Sequence, residues 1–146
     1  MTTYRYLKFK LSSDLFSECK NLVYYNYDDR DLKDAITACA IKSPNGMPNN
    51  MFKVEPDTCD KYRLTTIAGS VPNTIKEINK FQCETARIRI LKQQPKDITP
   101  VHIDEENWHN PAEKHLRIWI AINYNPNFIC LFGNDEICLE KGQGVV

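Results

Sequence analysis

The sequence predicts an α+β domain with a mainly β core. Three observations indicate this class: apolar residues recur at helical spacing before residue 82, strand-like alternation begins at residue 85, and turn residues separate the later segments. Helices that precede a run of short strands indicate an antiparallel barrel or sandwich in the back half. We expect the helices to pack on its outside.

Length and composition define the broad class of protein. A chain of 146 residues is expected to form one domain. Its 19 basic residues balance 19 acidic ones, and no basic run is interleaved with aromatics, which argues against nucleic-acid and membrane-surface binding. There is no signal-peptide core and no apolar run of spanning length, so we expect a soluble, cytoplasmic protein. Six cysteines without a CxxC pair predict reduced, mostly buried thiols.

The front part, residues 1–84, is expected to hold a strand and helices. Ser12 or Ser13 is a suitable N-cap for the first helix, and Pro72 suits the first turn of the last. The predicted elements are a strand over 4–11, a helix to about Leu22, a second helix over 31–41, a loop over 42–60, a short strand over 62–68 and a helix over 72–81.

The back part, residues 85–146, has strand periodicity. Residues 85–91 place Ile88 and Ile90 on one face and Arg87 and Arg89 on the other. Residues 116–122 alternate most clearly, with four aliphatic residues on one face. Further strands are predicted over 128–132 and 136–139, joined by a hairpin at 133–135, and a turn at 141–144 leads into a strand that begins at Val145.

A possible metal site lies between two of these strands. In an extended segment His102 and Asp104 point the same way, and together they offer an imidazole and a carboxylate to one ion. The spacing alone is weak, because it arises often by chance. About a dozen residues later a predicted strand presents Arg117 on its polar face, which strengthens the metal-site interpretation.

At these residues the sequence resembles the Fe(II)- and 2-oxoglutarate-dependent oxygenases, in particular the aspartyl/asparaginyl β-hydroxylase-like branch. The resemblance covers residues 85–146 and rests on 86–91, His102-Ile103-Asp104, Arg117 in its strand, Asn125-Pro126, and 132–142. It implies a double-stranded β-helix, or jelly-roll, around an iron held by two His and one carboxylate. By resemblance His102 and Asp104 are iron ligands and Arg117 holds 2-oxoglutarate, while Trp119, Asn123 and Arg89 line a possible substrate pocket.

Two positions depart from the branch. Trp119 stands where a His is common, and no distal His follows the Gly-rich turn before Val146. His109 and His115 are close in sequence to the first pair and are not assigned this role. We expect that the third ligand lies beyond Val146; the alternatives are a short form that has lost catalysis and a ligand from a neighbouring subunit.

Each of these residues also has an ordinary structural role open to it. Arg117 is equally compatible with a surface ion pair, and Arg87 and Arg89 fit an exposed or salt-bridged strand face better than a substrate clamp. Trp119 and Trp108 suit a core or pocket rim, and His109 and His115 suit a loop.

Three functions therefore remain open. The sequence favours an oxygenase that uses Fe(II) and 2-oxoglutarate to hydroxylate an amino-acid, peptide or protein side chain. The alternatives are a non-catalytic jelly-roll binding or structural protein descended from such an enzyme, and a cupin-like metal enzyme of another reaction type.

Overall fold

The computed structural model describes residues 5–12, 14–26, 37–49, 59–94, 118–132 and 134–146. These residues form a mixed α+β structure in which strands outnumber helices. The strands are β1 (Tyr6–Lys8), β2 (Tyr25–Asn26), β3 (Thr37–Ser43), β4 (Arg63–Leu64), β5 (Ile88–Lys92), β6 (Trp119–Ile120), β7 (Cys130–Phe132), β8 (Asp135–Ile137) and β9 (Gln143–Val145). The α-helices are α1 (Leu15–Lys20) and α2 (Pro72–Asn79).

Strand β3 is the centre of a four-stranded antiparallel sheet. Its Thr37–Ala38 end pairs with both β2 and β5, and Lys42 pairs with both β4 and β5. A strand has only two edges, so β2 and β4 lie end to end along one edge of β3, and β5 occupies the other. The four residues from Ala38 to Ile41 are fully buried, so neither face of this part of β3 is open to solvent.

The helix predicted over 31–41 is wrong for its last five residues, and residues 31–36 lie outside the described ranges. The apolar spacing of that prediction put Cys39 and Ala40 on one face of a helix, but both lie in the interior of β3, between Ala38 and Ile41. A short apolar run that is buried on both faces cannot be distinguished from a buried helix by periodicity alone. The segment becomes a strand because it pairs with β4 and β5, which are distant in sequence.

The two helices cover one face of this sheet. The main cluster joins Cys19 of α1, Ile41 of β3, Val71 before α2 and Ile90 of β5, with Ile75 and Ile78 of α2 packed against it. The prediction of a helix over 72–81 is confirmed, although the helix ends at Asn79. Ile75, Ile78 and Phe81, which were expected to point inward, are half-buried, and Thr74 is the buried residue of the helix. The first helix is shorter than predicted, and its N-cap is Asp14.

A second sheet has the order β1-β9-β6, so the first strand pairs with the last. In this sheet Tyr6 and Trp119 lie on either side of Val145. Val145 is buried with Ile137 and Leu139, and Ala121 packs on this cluster. A strand at Val145 was predicted, but β9 begins earlier, at Gln143 within the predicted turn, and Val145 is its last residue. It is the central strand of its sheet.

The hairpin predicted between residues 128 and 139 is confirmed, because β7 pairs with β8 from Cys130↔Ile137 to Phe132↔Asp135. The rings of Phe9, just after β1, and Phe81, just after α2, lie 5.3 Å apart and link the two larger sheets.

The strand predicted over 62–68 is reduced to Arg63–Leu64, and a 3-10 helix follows over Thr66–Ser70. The Thr65 hydroxyl ends the strand: it accepts from the Ile67 N–H and donates to the Ala40 carbonyl (2.8 Å).

The described strands form no closed barrel; they make two antiparallel sheets and a two-stranded hairpin. Across the same ranges, neither helix has the length and apolar character needed to cross a membrane.

Candidate functional site

The predicted iron ligands His102 and Asp104 and the predicted 2-oxoglutarate ligand Arg117 lie outside the described residues. The three predicted pocket residues Trp119, Asn123 and Arg89 lie within them. In the described part of the chain, no group of three His, Cys, Asp or Glu side chains is arranged to hold a metal ion.

Trp119 is the first residue of β6 and sits two positions after Arg117. It pairs with Val145, which is 1% exposed, yet the indole itself is 42% exposed. A large aromatic side chain thus stands beside a buried strand with much of its surface open to solvent. Trp119 is therefore not a core residue in this structure.

The residues after β6 keep the alternation that the sequence predicts. The Ala121 N–H donates to the Gln143 carbonyl (2.9 Å), which extends the pairing with β9. Ala121 packs on the Val145 cluster, whereas Ile122 packs on the Ile41 cluster, so consecutive side chains enter different parts of the core. Asn123, which follows, is exposed.

Arg89 belongs to the other sheet. It lies in β5 opposite Ala40 and is half-buried, as is Arg87. The face of β5 that carries the two arginines was predicted to be exposed or salt-bridged, and it is partly covered. Leu91, on the same face, packs on Ala38 and Ala40. Of the three predicted pocket residues, Trp119 and Asn123 belong to one segment, four positions apart, while Arg89 lies on a strand of a different sheet.

A polar cleft that the sequence did not predict lies beside the end of β3. Its volume is about 300 Å³. Lys42 forms one wall, and its Nζ donates to the Thr85 carbonyl and to the Thr85 hydroxyl. The complete lining consists of Lys42, Cys59, Asp60, Tyr62, Cys83, Glu84 and Thr85.

The cysteines are less buried than the sequence suggests. Cys19 and Cys39 are buried, Cys59 and Cys130 are half-buried, and Cys83 and Cys138 are exposed. Burial raises the pKa of Cys19 and Cys39, which keeps these two thiols protonated and unreactive. The exposed residues Cys83 and Cys138 lie in connections between elements. The periodicities of helices (3.6 residues) and strands (2.0 residues) do not apply there, so the sequence pattern could not predict their exposure.

Glu18 holds the start of α2 from outside that helix. One carboxylate oxygen accepts from the Asn73 N–H (3.0 Å) and side-chain amide (2.8 Å), and the other accepts from the Thr74 N–H and hydroxyl, both at 3.1 Å. Partial burial acts to raise the pKa of Glu18, but these hydrogen bonds outweigh it and leave the pKa below its ordinary value. The helix starts with Val71-Pro72 and so has no capping side chain of its own. This missing cap is the one sequence feature that could have indicated a capping residue from elsewhere in the chain.

Comparisons with protein-family models, with curated proteins and with solved structures found no match for this chain.

Proposed function

We propose that the chain is an Fe(II)- and 2-oxoglutarate-dependent oxygenase that hydroxylates an amino-acid or peptide side chain. The observation that carries the proposal is the pattern His102-Ile103-Asp104 followed by Arg117, two positions ahead of the exposed Trp119 that opens β6. Trp119 supplies an aromatic wall at the point where the resemblance places the co-substrate and substrate.

The chemistry of the donors fits the proposed group. An imidazole and a carboxylate are two of the three ligands that Fe(II) takes in this class, and a guanidinium forms a bidentate pair with a carboxylate. His102 and Asp104 would hold the iron, and Arg117 would hold 2-oxoglutarate. Bound together, iron and 2-oxoglutarate supply the oxidising power that an unactivated C–H bond requires.

The protein's own residues would bind and orient the substrate. Trp119 offers a flat apolar surface that excludes water from one side, and Asn123 offers an amide that can both donate and accept. Arg89, on the neighbouring sheet, is suited to an acidic group of the substrate if the two sheets border the same pocket.

The jelly-roll is part of the same proposal. Two features support it: the strand pairings among the described residues are antiparallel, and β1, the first of these strands, pairs with β9, the last. Jelly-rolls are built from two such sheets whose strands are far apart in sequence.

Succinate release tests the activity. Because the third ligand is expected beyond Val146, the test uses the full-length protein. We expect it to release succinate from 2-oxoglutarate only when Fe(II) is present, and His102→Ala to abolish the release. His109→Ala is the matched control, because His109 is assigned to a loop, and it should retain the wild-type rate. A protein that binds iron but never consumes 2-oxoglutarate with any amino acid or peptide would instead favour the non-catalytic alternative.

A further inference from the structure

We propose that Cys59 and Cys83 form a redox-responsive thiol pair, which closes the cleft beside Lys42 as an intramolecular disulfide. Both side chains line this cleft of about 300 Å³, and they lie 24 positions apart in the sequence. The inference is independent of the oxygenase proposal, since neither cysteine belongs to the residues assigned there.

The sheet topology brings the two cysteines to the same place. Strands β4 and β5 flank β3 on opposite edges, and Lys42 pairs with Leu64 on one side and Ile88 on the other. Both flanking strands are antiparallel to β3. The segments that lead into them, Cys59–Tyr62 and Cys83–Thr85, therefore both lie toward the C-terminal end of β3.

Strand spacing sets the width of the gap. Neighbouring strands lie about 4.8 Å apart, so the backbones of β4 and β5 are separated by about 9.6 Å across β3. A disulfide needs a Cα–Cα distance of about 4.4–6.8 Å. The two segments must therefore approach each other by about 3–5 Å. Cys59 opens a 3-10 helix (Cys59–Lys61) that leads into β4, so the approach falls mainly to Cys83, which lies in the irregular connection between α2 and β5.

The other four cysteines are placed differently. Cys19 and Cys39 are buried in the core, out of reach of an oxidant. Cys138 follows Ile137, the pairing partner of Cys130, and burial together with the neighbouring Cys138 raises the pKa of Cys130. These two cysteines are therefore close together, but neither lines the cleft beside Lys42, and the Cys138 thiol donates weakly to the Asn125 carbonyl at 3.6 Å.

A peroxide is a sufficient oxidant. The exposed Cys83 thiolate attacks one peroxide oxygen, the O–O bond breaks, and Cys83 becomes a sulfenic acid as one water leaves. The Cys59 thiolate then attacks that sulfur, the S–S bond forms, and the S–O bond breaks with loss of a second water. Two thiols are oxidised by two electrons in total, and the peroxide is reduced to two waters.

Peptide mapping under non-reducing conditions tests the pair. The full chain is treated with hydrogen peroxide at low protein concentration, remaining thiols are alkylated, and trypsin releases Cys59 in peptide 54–61 and Cys83 in peptide 81–87. We expect these two peptides to appear joined, in monomeric protein, and to separate after reduction. Cys83→Ser should abolish the linked species and leave Cys59 open to alkylation, whereas Cys138→Ser, the matched exposed control, should leave the linkage intact.

The proposal is overturned if peroxide oxidises Cys59 and Cys83 singly without joining them. It is also overturned if the link forms only between two chains, or if Cys83→Ser leaves it in place. Because Cys83 is exposed, the serine variant is expected to fold, and its circular dichroism and melting curve check this.

Discussion

The carboxylate of Glu18 and the first turn of α2 are joined at Thr74, where one oxygen accepts from both the backbone N–H and the hydroxyl at 3.1 Å. Thr74 is 6% exposed, and its hydroxyl also lies 3.7 Å from the Cys19 thiol. A residue of α1 thus caps α2, whose own N-cap residue, Val71, has no polar side chain. The contact fixes the two helices against the same face of the β3 sheet.

We expect Glu18→Gln to lower the free energy of unfolding by about 1 kcal/mol. Glutamine replaces one acceptor oxygen with an NH₂ group, which is a donor. That NH₂ group faces the two donors of either Asn73 or Thr74, so two hydrogen bonds are lost. The matched control is Glu77→Gln on the same helix, which removes a surface pair with Lys80 and should cost about 0.5 kcal/mol or less. Urea denaturation at pH 7 measures both, and equal effects would contradict the capping role.

The Glu18 contribution should depend on pH. Its pKa in the folded protein lies below the ordinary value of 4.5, so the unfolded chain binds more protons in that range. The stabilisation is fully present above pH 4.5 and is lost as the pH falls through the lowered value. The difference in unfolding free energy between wild type and Glu18→Gln should therefore shrink in acid, and a difference that is constant from pH 7 to pH 3 would exclude this cause.

Gly144→Ala should destabilise the protein by about 1–3 kcal/mol, because the added methyl group has no space. A Cβ at this position would lie 2.6 Å from the Trp119 carbonyl oxygen and 3.0 Å from the Phe9 ring. Gly69→Ala is the control: no heavy atom lies within 4 Å of its Cβ position, and we expect a change of about 0.5 kcal/mol or less. Similar melting temperatures for the two variants would contradict the close approach of β9 to β6.

Local signals predicted the elements whose partners are near in sequence. Pro72 with the spacing of Ile75 and Ile78 was enough for α2, and the turn residues between β7 and β8 were enough for their hairpin. Strand β3 was mistaken for a helix because its burial depends on three strands, of which β4 and β5 follow it by about twenty and fifty residues. The pairing of β1 with β9 joins the two ends of the chain and has no local signature.

The same distinction applies to the sites. Residue types and spacing predicted a metal ion at His102 and Asp104, whereas the choice of iron and the 2-oxoglutarate role of Arg117 are what the resemblance implies; all three stay predictions. The cleft beside Lys42 was missed because it arises where β4 and β5 flank β3, and no single segment carries a pattern for it. No local pattern reveals the capping role of Glu18, since its partners Asn73 and Thr74 lie about 55 residues away.

Iron binding tests the central claim most directly, because turnover also depends on an unidentified substrate. Anaerobic titration with Fe(II), in the presence of 2-oxoglutarate, should give about one ion per chain in the wild type. We expect His102→Ala and Asp104→Ala to weaken this binding at least about tenfold, and His109→Ala and Glu105→Gln to leave it unchanged. Binding that is equal in all five proteins, or absent from the wild type, would contradict an iron centre at His102 and Asp104.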